Sequence, residues 1–143
     1  MAFLETPRFG KVEYGEEAVV EFAEGLPAFE ADTKFVLIEP PETSPVVFLQ
    51  SLVHVELCFT TVPAVCVDKG FQLKAAEADL EAIGGMSPDL LCLAILTLRE
   101  DRTPTANLMA PVVIHRRTRQ ARQVIQYDSG YLFEHPIGGE GAC

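Results

Sequence analysis

The chain has 143 residues, 48% hydrophobic and 22% charged, with a formal net charge of −10 at pH 7. That length fits one domain able to bury about two-thirds of its unfolded surface. So acidic a chain repels a phosphate backbone, so direct nucleic-acid binding is not expected; encounter with a basic protein is favoured, although many acidic surfaces serve only solubility.

The charge is uneven. Residues 1–98 hold five basic and sixteen acidic side chains, and residues 99–143 hold six and five. No apolar run approaches the ~18 residues of a membrane span. Residues 1–5 lack the basic region of a signal peptide, so no membrane association and a cytoplasmic location are expected. Cys58, Cys66, Cys92 and Cys143 form no Cys-x-x-Cys, and three lie in apolar runs, so reduced thiols are expected.

In chain order, residues 8–14 alternate as a strand whose Gly10 marks a bulge, and residues 15–17 make a turn into a short strand at 18–22. Residues 24–30 are a Gly/Pro-punctuated loop carrying Leu26 and Phe29. Strands follow at 34–39, closed by Pro40 and Pro41, at 45–51 and at 57–62. Residues 63–67 are ambiguous, being short and headed by a proline, and 71–73 read as extended. Residues 76–83 are the one good helix: Ala76, Leu80 and Ile83 share a face, acids crowd the first turns, and Gly84-Gly85 stops it. Ser87-Pro88-Asp89 can cap a further helical turn, but 90–98 reads as a long buried strand, followed by a charged loop at 99–102.

The stretch 103–126 organises the rest. Two apolar runs flank the polar break 116–120, the pattern of a β-hairpin with a longer loop. Val112, Val113 and Ile114 in succession require apolar contacts on both faces, either buried twice over or half buried and half interface. Pro111 donates no ladder hydrogen bond and points to an edge or a bulge. An edge strand of this kind is a place where a partner adds itself; the plainer alternative is a core strand with a surface loop. Roughly seven to nine short strands and one or two short helices define the expected class: mainly β, a small antiparallel β-barrel-like domain over residues 1–137, with a disordered tail over 138–143.

Catalytic and metal chemistry have little support. His54 and Cys58 have helical metal-ligand spacing, but they precede a strand and lack a third ligand. Asp128, Ser129 and His135 supply the residue types of a hydrolytic triad without a nucleophile elbow, and Asp-Ser-Gly is a better turn. No phosphate loop or dinucleotide fingerprint is present. The one basic cluster is Arg116, Arg117, Arg119 and Arg122, which can read phosphate or carboxylate or be a solvated hairpin tip.

Several stretches taken together resemble the FliW family of bacterial flagellar assembly factors. They are residues 9–12, 22–30 with 34–37, 48–51, 105–114 (Thr-Ala-Asn-Leu-Met-Ala-Pro-Val-Val-Ile), 118–125, 128–131 and 135–137, in order over roughly residues 6–137. The resemblance implies a small barrel-like β-fold and a non-enzymatic cytoplasmic regulator, with no cofactor, metal or catalytic residue. It implies binding to CsrA, an RNA-binding translational repressor, antagonised allosterically so that repression of flagellin mRNA is relieved. It also implies binding to flagellin as a chaperone, with flagellin and CsrA competing for the same protein. The expected partner-binding residues are Asn107, Met109, Pro111, Phe48 and Gln50. The alternative is a small-molecule-binding or hydrolytic β-barrel, which would need an internal cavity.

Three departures stand out. Ala28 replaces the family's usual glycine, so the loop is not expected to reach the same backbone angles. Residues 53–57 replace a usual Asp/Asn-Pro turn, and Glu134 stands where an arginine is common.

Overall fold

A computed structural model describes residues 2–26 and 28–137. In chain order its strands are β1 (Ala2–Thr6), β2 (Gly10–Tyr14), β3 (Val19–Phe22), β4 (Lys34–Ile38), β5 (Val47–Ser51), β6 (Cys58–Pro63), β7 (Leu90–Thr97), β8 (Thr105–His115), β9 (Gln120–Gln123) and β10 (His135–Pro136). Two short helices, α1 (Ala64–Val67) and α2 (Glu77–Glu81), lie between β6 and β7. β1 and β2 form a separate antiparallel hairpin. The others run in the order β8-β7-β6-β5-β4-β3-β9, and β9 pairs back onto β8, so seven strands close into a barrel. Closure is made by the one parallel pairing among the described residues, Glu21 opposite Gln120 and Phe22 opposite Ala121. β10 adds to the start of β8.

The alternation of each strand decides what fills the barrel. Val20, Phe22, Phe35, Val47, Leu49, Leu93, Val112 and Ile114 point inward and form one buried cluster with Leu26 and Ala121. At one end the β3–β4 loop folds over the opening. Leu26 is buried there, and Phe29 packs edge-on to Phe59 at 5.6 Å, which in turn meets Phe35. The filled interior removes the internal cavity that a ligand-binding barrel would need.

Outside the barrel, Ala94, Ala106 and Leu108 pack against Ala64 of α1, Phe71 and Tyr131. Val113 packs against Ile83 and Val124. Val112 and Ile114 therefore face inward, Val113 faces outward, and all three are buried. The expected docking edge is not there: β8 lies between β7 and β9, and its apolar run is buried on both faces.

The helix expected over 76–83 is shorter, α2 with Ala76 at its N-cap; Gly85 donates its N–H to the Leu80 carbonyl at 2.7 Å and ends it. The ambiguous 63–67 folds as α1 behind Pro63. β1 and the two-residue β10 have no counterpart in the sequence pattern, since neither carries a long alternation of its own. Reduced thiols hold for Cys58 and Cys92 and do not extend to Cys66. Cys143 and the tail 138–143 lie outside the described residues. No helix among the described residues is long and apolar enough to cross a membrane.

Candidate protein–protein interface

The register of β7 against β8 breaks once. Leu93 faces Val112 and Ile95 faces Asn107, so Ala94 alone stands opposite residues 108–111. The Asn-Leu-Met-Ala-Pro run is thus a wide bulge in the longest strand. Pro111 sits where a missing N–H costs no ladder bond, and its carbonyl accepts from Val124 N at 3.0 Å. Asn107 Oδ1 accepts from Ala110 N at 2.9 Å, closing the bulge from within.

The C-terminal segment supplies the remaining bonds. The Leu132 carbonyl accepts from Leu108 N at 3.0 Å and Met109 N at 3.1 Å. Gln126 is fully buried: its Nε2 donates to the Leu108 carbonyl at 2.9 Å, its N–H to the Met109 carbonyl at 2.8 Å, and its Oε1 accepts from Lys74 N at 2.6 Å. With the backbone satisfied in this way the bulge is a fixed platform. Half-buried Met109 lies on it with Ser129 Oγ 3.6 Å from its sulfur. Tyr127, Leu132 and Phe133, from the same segment, are 75%, 54% and 57% exposed. Large apolar side chains exposed along the segment that clamps a rigid base fit a protein-binding surface.

Phe48 and Gln50 lie elsewhere. β5 is three strands from β8 around the barrel, so the five expected partner-binding residues divide between two walls. Phe48 faces outward and is covered by the β1–β2 hairpin, with Phe9 edge-on at 5.1 Å and the Arg8 guanidinium 5.2 Å above the ring. Gln50 is fully buried; its Nε2 donates to the carbonyls of Ser51, Val55 and Leu57, with the Val55 contact shortest at 2.8 Å. It organises the β5–β6 loop, and its Oε1 has no hydrogen-bond partner among the described residues. Gln50 and Pro111 are buried, whereas Asn107, Met109 and Phe48 are half-buried.

That loop carries a polar knot. Asp32, 3% exposed, accepts at one oxygen from Ser51 Oγ at 2.6 Å and lies 2.8 Å from His54 Nδ1. Burial alone would raise the Asp32 carboxyl, but hydrogen bonds from Ser51 and His54 and the charge of His54 outweigh it and hold it below the usual range. The hydrogen bond and charge of Asp32 raise His54 above its ordinary value. Here the carboxylate bridges serine and histidine, whereas nucleophilic catalysis needs the histidine between the other two. Ser129 accepts from Tyr131 N and faces Met109, with Asp128 in a left-handed turn, so Asp128, Ser129 and His135 build no triad. Among the described residues no group of three or more His, Cys, Asp or Glu could hold a metal ion.

The departures have structural answers. Ala28 does reach the left-handed region, at φ 71°, so the loop takes a glycine-like angle without glycine. Residues 54–57 still form a turn, with Leu57 N donating to the His54 carbonyl at 2.9 Å. Glu134 pairs with Arg99 at 3.7 Å on the surface.

The FliW protein family model matches residues 3–137 of the chain. The chain belongs to the FliW family. It is 42% identical to the flagellar assembly factor FliW of Bacillus licheniformis, covering 98% of this chain and 99% of that one. It is 36% identical to the FliW of Bacillus subtilis, covering 96% and 97%. A crystal structure of the flagellar assembly factor FliW superposes with a TM-score of 0.86 at 28% identity, over 97% of this chain and 99% of that one. In this FliW-family chain, the run most specific to the resemblance is the one that builds the bulge. Sequence reading missed Gln126, Tyr127, Leu132 and Phe133. Apolar residues crowded just past the Asp-Ser-Gly turn were the available signal.

Proposed function

We propose that this chain is a cytoplasmic, non-enzymatic flagellar assembly factor that binds CsrA and antagonises it allosterically, and that binds flagellin as its alternative partner. The observation that carries this reading is the apolar platform of Met109, Tyr127, Leu132 and Phe133 on the clamped bulge, in a chain of a family named for flagellar assembly. A net charge of −10 suits a basic RNA-binding partner, speeding encounter and disfavouring RNA itself. If the antagonism is allosteric, reciprocity requires RNA to weaken CsrA's hold on this protein by the same factor.

The test is calorimetry with the CsrA of the same organism at two salt concentrations, with flagellin added as competitor. Tight, salt-sensitive binding displaced by flagellin establishes the partner switch. Binding to flagellin alone leaves a chaperone, and binding to neither refutes the proposal. Met109→Glu should keep the fold and weaken partner binding more than tenfold, about 1.4 kcal/mol. Unchanged affinity would remove Met109 from the interface, and an unfolded variant would make it part of the core.

A further inference from the structure

The two ends of the barrel are closed differently. One is sealed by Leu26 and the Phe29–Phe59 contact. The other is a depression of about 450 Å³ to which six of the seven barrel strands contribute. Its floor is Val20, Val47 and Ile114, each at most 3% exposed, and its accessible apolar walls are the half-buried Leu37 and Leu91 with Pro45 and Pro63. The rim carries Glu17 and Glu39 together with Arg116 and Arg119 from the β8–β9 turn. We propose that this mouth binds a singly charged carboxylate bearing a short aliphatic tail, with the tail against Leu37 and Leu91 and the carboxylate on Arg116 and Arg119.

The arginines divide by role. Arg117 pairs with Asp89 at 3.3 Å, and Arg122 pairs with Asp79 at 2.9 Å and Glu24 at 3.4 Å. Arg116 and Arg119, the two at the mouth, have no ion pair among the described residues. The backbone of Arg119 is pinned: its N–H donates to the His115 carbonyl at 2.7 Å, its carbonyl accepts from Glu21 N at 2.9 Å, and its φ is 61°. A guanidinium on a fixed base loses less freedom on binding, and its fork matches a carboxylate. The two rim acids balance the two arginines, so the mouth has no excess positive charge for a polyphosphate. An apolar wall beneath one charged rim fits a monoanion with an aliphatic tail.

Such a group is either a free small acid or the C-terminal residue of a protein, and backbone-amide NMR titration of the intact chain separates them. The probes are 4-methylpentanoate, N-acetyl-leucine and 4-methylpentanamide. Both carboxylates should shift amides of the β8–β9 turn and of Leu91 saturably. The amide, which has the same tail without the charge, should bind at least tenfold more weakly. Arg116→Gln with Arg119→Gln, at exposed positions, should lower carboxylate affinity at least tenfold and leave the melting temperature unchanged. Stronger binding of N-acetyl-leucine identifies a chain terminus, and stronger binding of 4-methylpentanoate a free acid. The proposal is overturned if amide and acid bind equally, if the shifts map away from the mouth, or if nothing saturates below about 10 mM, an affinity near 3 kcal/mol. The amide comparison uses the unaltered protein, so it stands whatever the variant does.

Discussion

Gln126→Ala tests whether the bulge is a clamped platform. The side chain is fully buried and holds two partners, the Leu108 carbonyl at 2.9 Å and Lys74 N at 2.6 Å. Truncation leaves the carbonyl of fully buried Leu108 unpaired, at about 1–3 kcal/mol. Lys74 is exposed, so its N–H recovers water and loses only the net worth of a hydrogen bond, about 0.5–1.5 kcal/mol. The one buried methylene that is lost adds about 0.8 kcal/mol. The total of about 2–5 kcal/mol is a large share of the roughly 5–15 kcal/mol that holds such a domain together. Guanidinium denaturation should show a lower midpoint at unchanged slope, and hydrogen exchange at Leu108, Met109 and Lys74 should quicken first. Gln126→Met keeps the packing but neither hydrogen bond, and should recover only about 1–2 kcal/mol. A loss under about 1 kcal/mol for Gln126→Ala would refute the clamp.

Ala28→Gly should stabilise by about 0.5–1 kcal/mol in thermal melts, since relief of the left-handed angle exceeds glycine's added unfolded-state entropy. Gly25→Ala should do the reverse by more than about 2 kcal/mol, because a Cβ there would lie 2.5 Å from Glu30 Cα and its carbonyl oxygen; two small effects of like sign would dispose of the argument. The His54–Asp32 pair predicts a pH window. His54, raised when folded, contributes in full below its ordinary 6.5 and loses that contribution as pH rises through the folded value. Asp32, lowered when folded, contributes above its ordinary 3.8 and loses that as pH falls through the folded value. The stability deficit of His54→Ala should therefore be larger at about pH 5.5 than at about pH 8.5, and a pH-independent deficit would count against the pair.

The sequence carried more of the frame than of the surface. Short apolar runs in residues 34–38, 47–51 and 90–97 marked those strands, because each shows one face to a filled interior and the other to covering segments. Pro111 in sequence points equally to an edge or a bulge, and local pattern does not choose: both relieve a residue of the ladder bond that proline cannot make. The choice came from β9, which pairs back across the barrel to β8 and leaves its second half with no free edge. Phe48 and Gln50 looked as available as Asn107 and Met109, because sequence does not say that a hairpin covers one wall while a loop buries the next residue but one. Ala28 was read against its propensity, yet the loop around it sets its angle, as packing overrides local preference elsewhere.

By itself, the sequence determined a small, mainly β protein, the hairpin within 103–126, the helix behind Ala76 and the family, each written in periodicity, turn chemistry or residues close in the chain. Tertiary structure alone decided that Val112–Ile114 is buried on both faces, that Gln126 holds the bulge from 15 to 18 positions away, and that two of four clustered arginines stand at a barrel mouth. Each of these depends on which distant segments meet when the barrel closes. Residues opposed across that closure carry no shared local signal.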